Sequence, residues 1–399
     1  MAFHRPAMIE GDTLPVTSAA AATIFTTLLG EGPMPRVELA RVVGLSQAAV
    51  TRVVRPLIDL GYLVETTDSR KDAGMGRPVS PLQVVPERQF FLGVKVTADE
   101  LIGVLVDLQA QVRAVEHVAL ESTEAGFVVA AIARLVDELR IAYPVPLDRI
   151  GGLGVTVTGD VDRASGVARH APLLRWREVP LAQLVADATG LSTVVENDVR
   201  ALTTMERWFG AGVGVHSFAL VTIGAGIGCG LLINGEVVSG AHGVAGEIGH
   251  LPLVADDRVC TCGRRGCVET VASTDSIMQD VRALPGRADA TIREAVQLAH
   301  EGDLRIREVF DRAGGVIGRA LAVVANLVGP ERIILSGERI ADYDLYEALI
   351  RQSLLQHAFG SAAHCELIVR PLSFDEWARA AAVAALESFV VPEEKKAAS

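Results

Sequence analysis

The sequence predicts a small winged-helix head followed by a larger α/β body with mixed sheets, and three observations predict it. The chain has 399 residues, more than one hydrophobic core ordinarily holds, and half of them are apolar, so two or three cores are expected. The first part reads helix, helix, tight turn, helix, hairpin. From Phe90 onward, apolar strand-like runs alternate with helical stretches.

The head is legible residue by residue. Ile24, Phe25, Leu28 and Leu29 recur at helical spacing before Gly30 and Gly32-Pro33 end the segment. Val37, Leu39, Ala40 and Val43 suggest a second short helix. Gly44-Leu45 makes a tight turn, and Ser46 is placed to cap a third helix carrying Val50, Val54 and Leu57 on one side. Pro56, with no N–H to donate, is expected to bend or shorten its last turn. Two short strands, Tyr62-Leu63-Val64 and Leu82 to Val85, flank a polar loop with Arg70, Lys71 and Gly74-Met75-Gly76-Arg77, which reads as a wing. A helix presented this way has the geometry for a major groove. Ser46, Gln47, Thr51, Arg52 and Arg55 on it, with Arg70, Lys71 and Arg77 in the loop, are the candidates to meet bases and phosphates. Residues 1–18 read as a flexible leader, 19–86 as the head and 87–399 as the body.

Charge is unevenly spread. Residues 1–86 carry eight basic and eight acidic side chains, so the whole net charge of −12 falls on the body. A neutral head with a locally basic face can still hold a polyanion that an acidic body repels. No stretch of eighteen uncharged apolar residues and no secretory leader is present, so a cytoplasmic protein without membrane partners is expected.

In the body, the run Phe90 to Leu120 reads as successive strands, with helices near 127–140 and 181–189 and a further strand at Ile150 to Val157. Residues 218–238 repeat the theme as FALVTIG, a glycine turn, CGLLING and EVV. The turn Gly224-Ala225-Gly226-Ile227-Gly228 fits either a phosphate seat or a tight sheet connection. Glu196-Asn197-Asp198 follows an apolar strand, whose end can deliver polar groups into a cleft. Glu196 reads equally as a cap or a surface salt bridge. Glu247, His250 and Glu269 form further polar clusters, and fixed Asn, Asp and Glu oxygens around a pocket suit the many hydroxyls of a sugar as acceptors. The Ala-rich stretch Trp377 to Leu386 reads as a packed helix returning to the first lobe, while 393–399 should fray.

Five cysteines are too few for a disulfide scaffold, and three of them lie within eight residues as CTCGRRGC. Cys260, Cys262 and Cys267, with His250 ten residues upstream, offer four ligands and leave no open position. That set fits a structural Zn²⁺. Gly263 and Gly266 relieve crowding there, Arg264 and Arg265 offset thiolate charge, and the second ring nitrogen of His250 is placed to hold Glu269.

On the motifs E196-N-D198, G246-E-I-G-H250 and C260-T-C-G-R-R-G-C267-V-E269, together with the winged head, the chain resembles the ROK family of sugar-responsive repressors and sugar kinases. The resemblance spans nearly all of it. It implies a two-lobed actin-like (ribonuclease H-like) body and a sugar contacted by Asn197, Asp198, Glu247, His250 and Glu269. It further implies zinc on His250 and the three cysteines, and a homodimer or tetramer reading a roughly palindromic operator. Kinases of the family use the carboxylate matching Asp198 as a base and need a DxGGT loop for ATP. Here that loop is Lys95-Val96-Thr97-Ala98-Asp99, with no glycine and an ammonium in the leading place. At Leu335-Ser336-Gly337-Glu338, Glu338 stands where a second glycine is expected. The expectation is therefore a non-enzymatic regulator of transcription whose sugar or sugar-phosphate effector weakens operator binding. The alternative is a sugar kinase with an added DNA-binding head.

Overall fold

A computed structural model describes residues 18–66, 80–255 and 258–391. The chain divides into two compact units, one reaching to Gly214 and resuming at Trp377, the other Val215–Glu376. The leader to residue 17, the wing loop with Arg70, Lys71 and Arg77, and the tail from 392 lie outside the described residues.

In the head, α1 (Ala19–Glu31) starts where the Ser18 hydroxyl accepts the Ala21 N–H, and it buries Ile24, Phe25, Leu28 and Leu29. A short β1 (Met34–Pro35) leads into α2 (Arg36–Val42), which buries Leu39 and Ala40 but leaves Val37 exposed. Gly44 turns the chain at φ +67°, and the Ser46 hydroxyl caps α3 (Gln47–Asp59), whose buried face is Val50, Val54 and Leu57. α3 runs three residues past Pro56 and ends at Asp59. The ring lies on the exposed side, where water can serve the Arg52 carbonyl that the missing N–H leaves open. Strands β2 (Leu63–Glu65) and β3 (Pro81–Val84) complete a small sheet in the order β1-β3-β2. The sequence reading missed β1.

The junction to the body is stitched. After a single turn at Pro86–Arg88, Arg88 Nε donates to the Leu60 carbonyl at 2.9 Å while its guanidinium lies 4.6 Å from the Tyr62 ring centre.

The body of the first unit opens as a meander, β4 (Phe90–Val96), β5 (Glu100–Asp107) and β6 (Val112–Ala119), followed by α4 (Ala125–Ala142) and β7 (Ile150–Val157). A three-stranded flap of β8 (Asp160–Asp162), β9 (Val167–Ala171) and β10 (Trp176–Val179) precedes α5 (Leu181–Thr189), β11 (Thr193–Asn197) and α6 (Asp198–Phe209). The main sheet runs β11-β7-β4-β5-β6, with β4, β7 and β11 parallel. Every residue of β4 is buried, as expected for a strand covered on both faces.

The second unit repeats this plan. Its meander is β12 (Phe218–Ile223), β13 (Ile227–Ile233) and β14 (Glu236–Val237). After a long irregular segment come α7 (Glu269–Ala272), α8 (Thr274–Arg282), α9 (Ile292–His300), α10 (Leu304–Val328), β15 (Arg332–Ser336), α11 (Glu347–His357) and β16 (Glu366–Val369). The sheet order β14-β13-β12-β15-β16, with β12, β15 and β16 parallel, matches the first sheet strand for strand. A sheet of this order in each unit is the actin-like, ribonuclease H-like architecture.

The last helix, α12 (Phe374–Val390), belongs with the first unit and is longer than the stretch expected from sequence. Its alanines let its backbone lie directly on two strand glycines. A Cβ on Gly93 would stand 2.1 Å from the Ala378 carbonyl oxygen, and one on Gly154 only 1.8 Å from that of Ala381. Gly154→Ala is therefore expected to cost about 3 kcal/mol in denaturant unfolding, because backbone must move. Gly126→Ala, at a helical position with nothing within 4 Å, should be neutral or stabilise by about 0.5 kcal/mol.

Candidate functional site

At the end of β11 the chain passes straight into α6, so Glu196, Asn197 and Asp198 sit on the rim of the parallel sheet. Asn197 is the N-cap: its Oδ1 accepts the N–H groups of Val199 and Arg200 at 3.0 and 3.1 Å, and its Nδ2 donates to the Gly159 carbonyl at 3.0 Å. Its oxygen is thus committed to the helix, and one amide hydrogen is left for a ligand. That corrects the expectation of a hydroxyl acceptor to one of a donor.

Asp198 is 5% exposed. Its Oδ2 accepts from Lys95 Nζ at 2.5 Å and from the Thr158 hydroxyl at 2.6 Å, while Oδ1 accepts the Val199 N–H at 2.9 Å. Lys95, 7% exposed, also donates to Thr158 at 3.1 Å and lies 5.6 Å from the Trp377 ring centre. A carboxylate has about four lone-pair sites, so Asp198 keeps one for a hydroxyl. Its Oδ2 is thus held from two sides, by an ammonium and by a hydroxyl.

Glu196 is neither a surface ion pair nor a helix cap. At 4% exposure it receives Arg200 Nε at 2.7 Å and Arg163 Nη1 at 2.9 Å, and Arg163 reaches on to Glu387 and Ser388 of α12, each at 2.9 Å. Arg200, on the first turn of α6, was not singled out in the sequence. Thr158, Arg163 and Glu387 had no local signal, because only the fold brings them there.

In the second unit, His250 and the three cysteines converge, with all four ligand atoms within 4.8 Å of one another. His250 Nδ1 is 3.5 Å from Cys260 Sγ, and Cys262 and Cys267 Sγ are 3.7 Å apart. A tetrahedral zinc with Zn–S near 2.3 Å and Zn–N near 2.0 Å sets edges of about 3.5 Å for S···N and about 3.8 Å for S···S. The residues fit the ion. Gly263, at φ +83°, supplies the left-handed turn between Cys260 and Arg264, and Gly266, at φ +76°, passes so close to the Val254 carbonyl that a Cβ would meet it at 2.7 Å. Without a cation, burial and then the neighbouring sulfurs push the Cys267 thiol up to about 12.

The carboxylates beside this cluster are placed differently from the sequence expectation. Glu269 Oε2 lies 3.7 Å from His250 Nδ1, the nitrogen that faces the thiols, whereas Nε2 faces Glu247 at 3.9 Å. The second ring nitrogen therefore points to Glu247. Glu269 is also tied to the backbone, its Oε1 accepting the Ile227 N–H at 2.9 Å.

The Gly224–Gly228 turn joins β12 to β13 and is covered by the turn after β15. Gly337, at φ +102°, passes so close to Ile223 that a Cβ would stand 2.6 Å from its carbonyl oxygen, and one on Gly224 would stand 1.7 Å from Glu338 Oε2. A carboxylate pressed on this turn opposes a phosphate there.

In the head, Ser46, Gln47, Thr51, Arg52 and Arg55 are all exposed, opposite the buried stripe of α3. The Ser46 hydroxyl is engaged as cap, and Arg55 stands 4.0 Å from Asp59 in an exposed pair.

Residues 91–387 match the model of the ROK family, and residues 23–64 match that of winged helix-turn-helix DNA-binding domains. The chain is 26% identical over 356 residues to the DNA-binding transcriptional repressor Mlc of Escherichia coli (strain K12), covering 87% of each protein. It is similar to the crystal structure of a ROK family transcriptional regulator described as a homolog of the E. coli MLC protein, with 27% identity, a TM-score of 0.78, and 93% of this chain and 95% of that one covered. A ROK family glucokinase from Streptomyces griseus, crystallised with glucose and AMPPNP, is 28% identical with a TM-score of 0.64, covering 73% of this chain and 98% of the kinase. The kinase likeness thus stops at the body, whereas the regulator likeness takes in the head. With its ROK body matched over well over half its length and a winged head in front, the chain belongs to the ROK family and is a DNA-binding regulator of transcription.

Proposed function

We propose that this protein is a repressor whose operator affinity is set by a monosaccharide or sugar phosphate that it binds without phosphorylating. The observation that carries this reading is the Asp198 carboxylate, tied to Lys95 and Thr158 in a body that bears a DNA-binding head. Its Oδ2 is already held by an ammonium and a hydroxyl, and Lys95-Val96-Thr97-Ala98-Asp99 stands where the family's kinases carry a DxGGT loop. Asp198 keeps one acceptor site for a sugar hydroxyl, and Asn197 keeps one donor. In the second unit, Glu247, His250 and Glu269 are the corresponding sugar-binding candidates. The Glu338 carboxylate on the glycine turn works against a nucleotide phosphate.

On this reading Gln47, Thr51, Arg52 and Arg55 meet bases and phosphates, Ser46 sets the start of the recognition helix, and Arg70, Lys71 and Arg77 of the wing reach the flanking backbone or minor groove. The protein acts as a homodimer or tetramer, two heads reading a roughly palindromic site. The head is residues 19–86, after a leader to residue 18, and the sensor is 87–399. Zn²⁺ held by His250, Cys260, Cys262 and Cys267 is structural: it orders a segment with little regular structure, and four protein ligands leave it no open position for chemistry.

Selection from a random duplex library should yield an inverted repeat, and Arg52→Ala should weaken binding to it by about tenfold or more. D-glucose, D-xylose, N-acetylglucosamine and their phosphates, added singly, should include one that releases that duplex. ATP-dependent phosphorylation of any of these sugars by the purified protein defeats the reading.

Elemental analysis should find one zinc per chain, with Cys260→Ser and Cys267→Ser lacking it. Stripping the metal should lower stability by about 4 kcal/mol relative to free zinc held a thousandfold above its dissociation constant. Asp198→Asn should weaken sugar binding and keep the metal.

Lys95→Met, which strands a buried carboxylate, should cost about 3 to 5 kcal/mol in denaturant unfolding. Lys95→Met with Asp198→Asn should recover most of that loss, and neither variant should transfer phosphate.

A further inference from the structure

Helix α6 begins at the residues proposed to contact the sugar and ends against the head. Asn197 caps its start, and Asp198, its first residue, is fixed by Lys95 and Thr158. Nine of its twelve residues are buried, so it is gripped on nearly all sides. Twelve residues make a rod of about 18 Å. At its far end Trp208 is 4% exposed, and Gly30 of α1 lies so near that a Cβ there would stand 3.1 Å from the Trp208 carbonyl oxygen. α1 in turn packs on α3. A close-packed helix passes a displacement on as a body, because its neighbours resist compression.

We propose that α6 is the rod by which occupancy at Asn197 and Asp198 sets the seating of α1, and through it that of the recognition helix, with the Gly30–Trp208 contact as its far bearing. The inference rests on the sugar reading for the ligand end alone. A second route runs from Glu196 through Arg163 to Glu387 of α12, where Phe389 packs on Tyr62, with ring centres 6.3 Å apart. α12, however, is locked to β4 and β7 by the contacts at Gly93 and Gly154, so it cannot shift without the sheet.

Coupling is reciprocal, so each end of the rod should report on the other. The test is amide hydrogen exchange on the full-length protein, with no sugar or DNA present, which keeps its outcome separate from that of the sugar titration. Lys95→Met with Asp198→Asn neutralises the anchor without stranding a charge. It should change exchange in residues 19–31 by about threefold or more. Gly30→Ala, which presses on the Trp208 carbonyl, should change exchange in residues 198–203. Two controls in the same unit should move neither segment: Asp107→Asn with Arg113→Met, which neutralises another ion pair, and Gly126→Ala. If the anchor double variant fails to fold, Lys95→Arg, which keeps the charge and alters the reach, takes its place with the same expectation. Absence of either cross-response, or an equal response in the controls, overturns the proposal. So does an α1 response to the anchor change that Glu387→Gln abolishes, because that assigns the coupling to α12.

Discussion

A charge taken out of water must find a partner, and the rest of this protein depends on how that rule is met at the end of β11. Asp198 is almost wholly buried, and Lys95 and Thr158 satisfy its outer oxygen. The same contact fixes the first residue of α6 and leaves a single acceptor site toward a ligand. One residue in β4 thus bears on helix position and on chemistry together.

Around that pair the fold supplies stiffness by close backbone approach. Two strand glycines and a run of alanines allow α12 to lie on the first sheet without intervening side chains, and the ion network of Arg163 ties the far part of the helix to Glu196. The second unit has the same strand plan but is braced differently. Between β14 and α7 the chain has no strand or helix longer than one turn among the described residues, and its path is held by glycine turns and by the convergence of His250 with three thiols. The two lobes share a topology, yet one is secured by backbone packing and the other by glycine turns and a cluster of thiols and imidazole.

Much of this was legible in the sequence because it is local. The turn at Gly44, the cap at Ser46 and the stripe Val50, Val54, Leu57 announce the head, and the cysteine spacing announces the cluster with His250. The helix of alanines beyond Trp377 was visible as well, although its seat on Gly93 and Gly154 was not, since a glycine in a strand does not say what approaches it. Lys95 was read as the loss of a kinase loop, but its role as partner of Asp198 depends on the parallel pairing of β4 with β7 and β7 with β11. Sequence separation hides such contacts: Lys95 and Asp198 are 103 residues apart, and Arg163 and Ser388 are 225. Pro56 is accommodated within α3 because the bond it removes lies on the exposed side.

The return of α12 to the first unit carries a consequence for how the protein is born. The strands on which α12 rests, β4 and β7, are synthesised more than about two hundred residues before it, with all of the second unit in between. As the chain leaves the ribosome, the head and the second unit each have their own elements in hand, while one face of the first sheet, around Gly93 and Gly154, must wait bare. A nascent chain interrupted before residue 377 therefore carries a complete DNA-binding head on an unfinished lobe, and such a fragment is a natural client for chaperones and proteases.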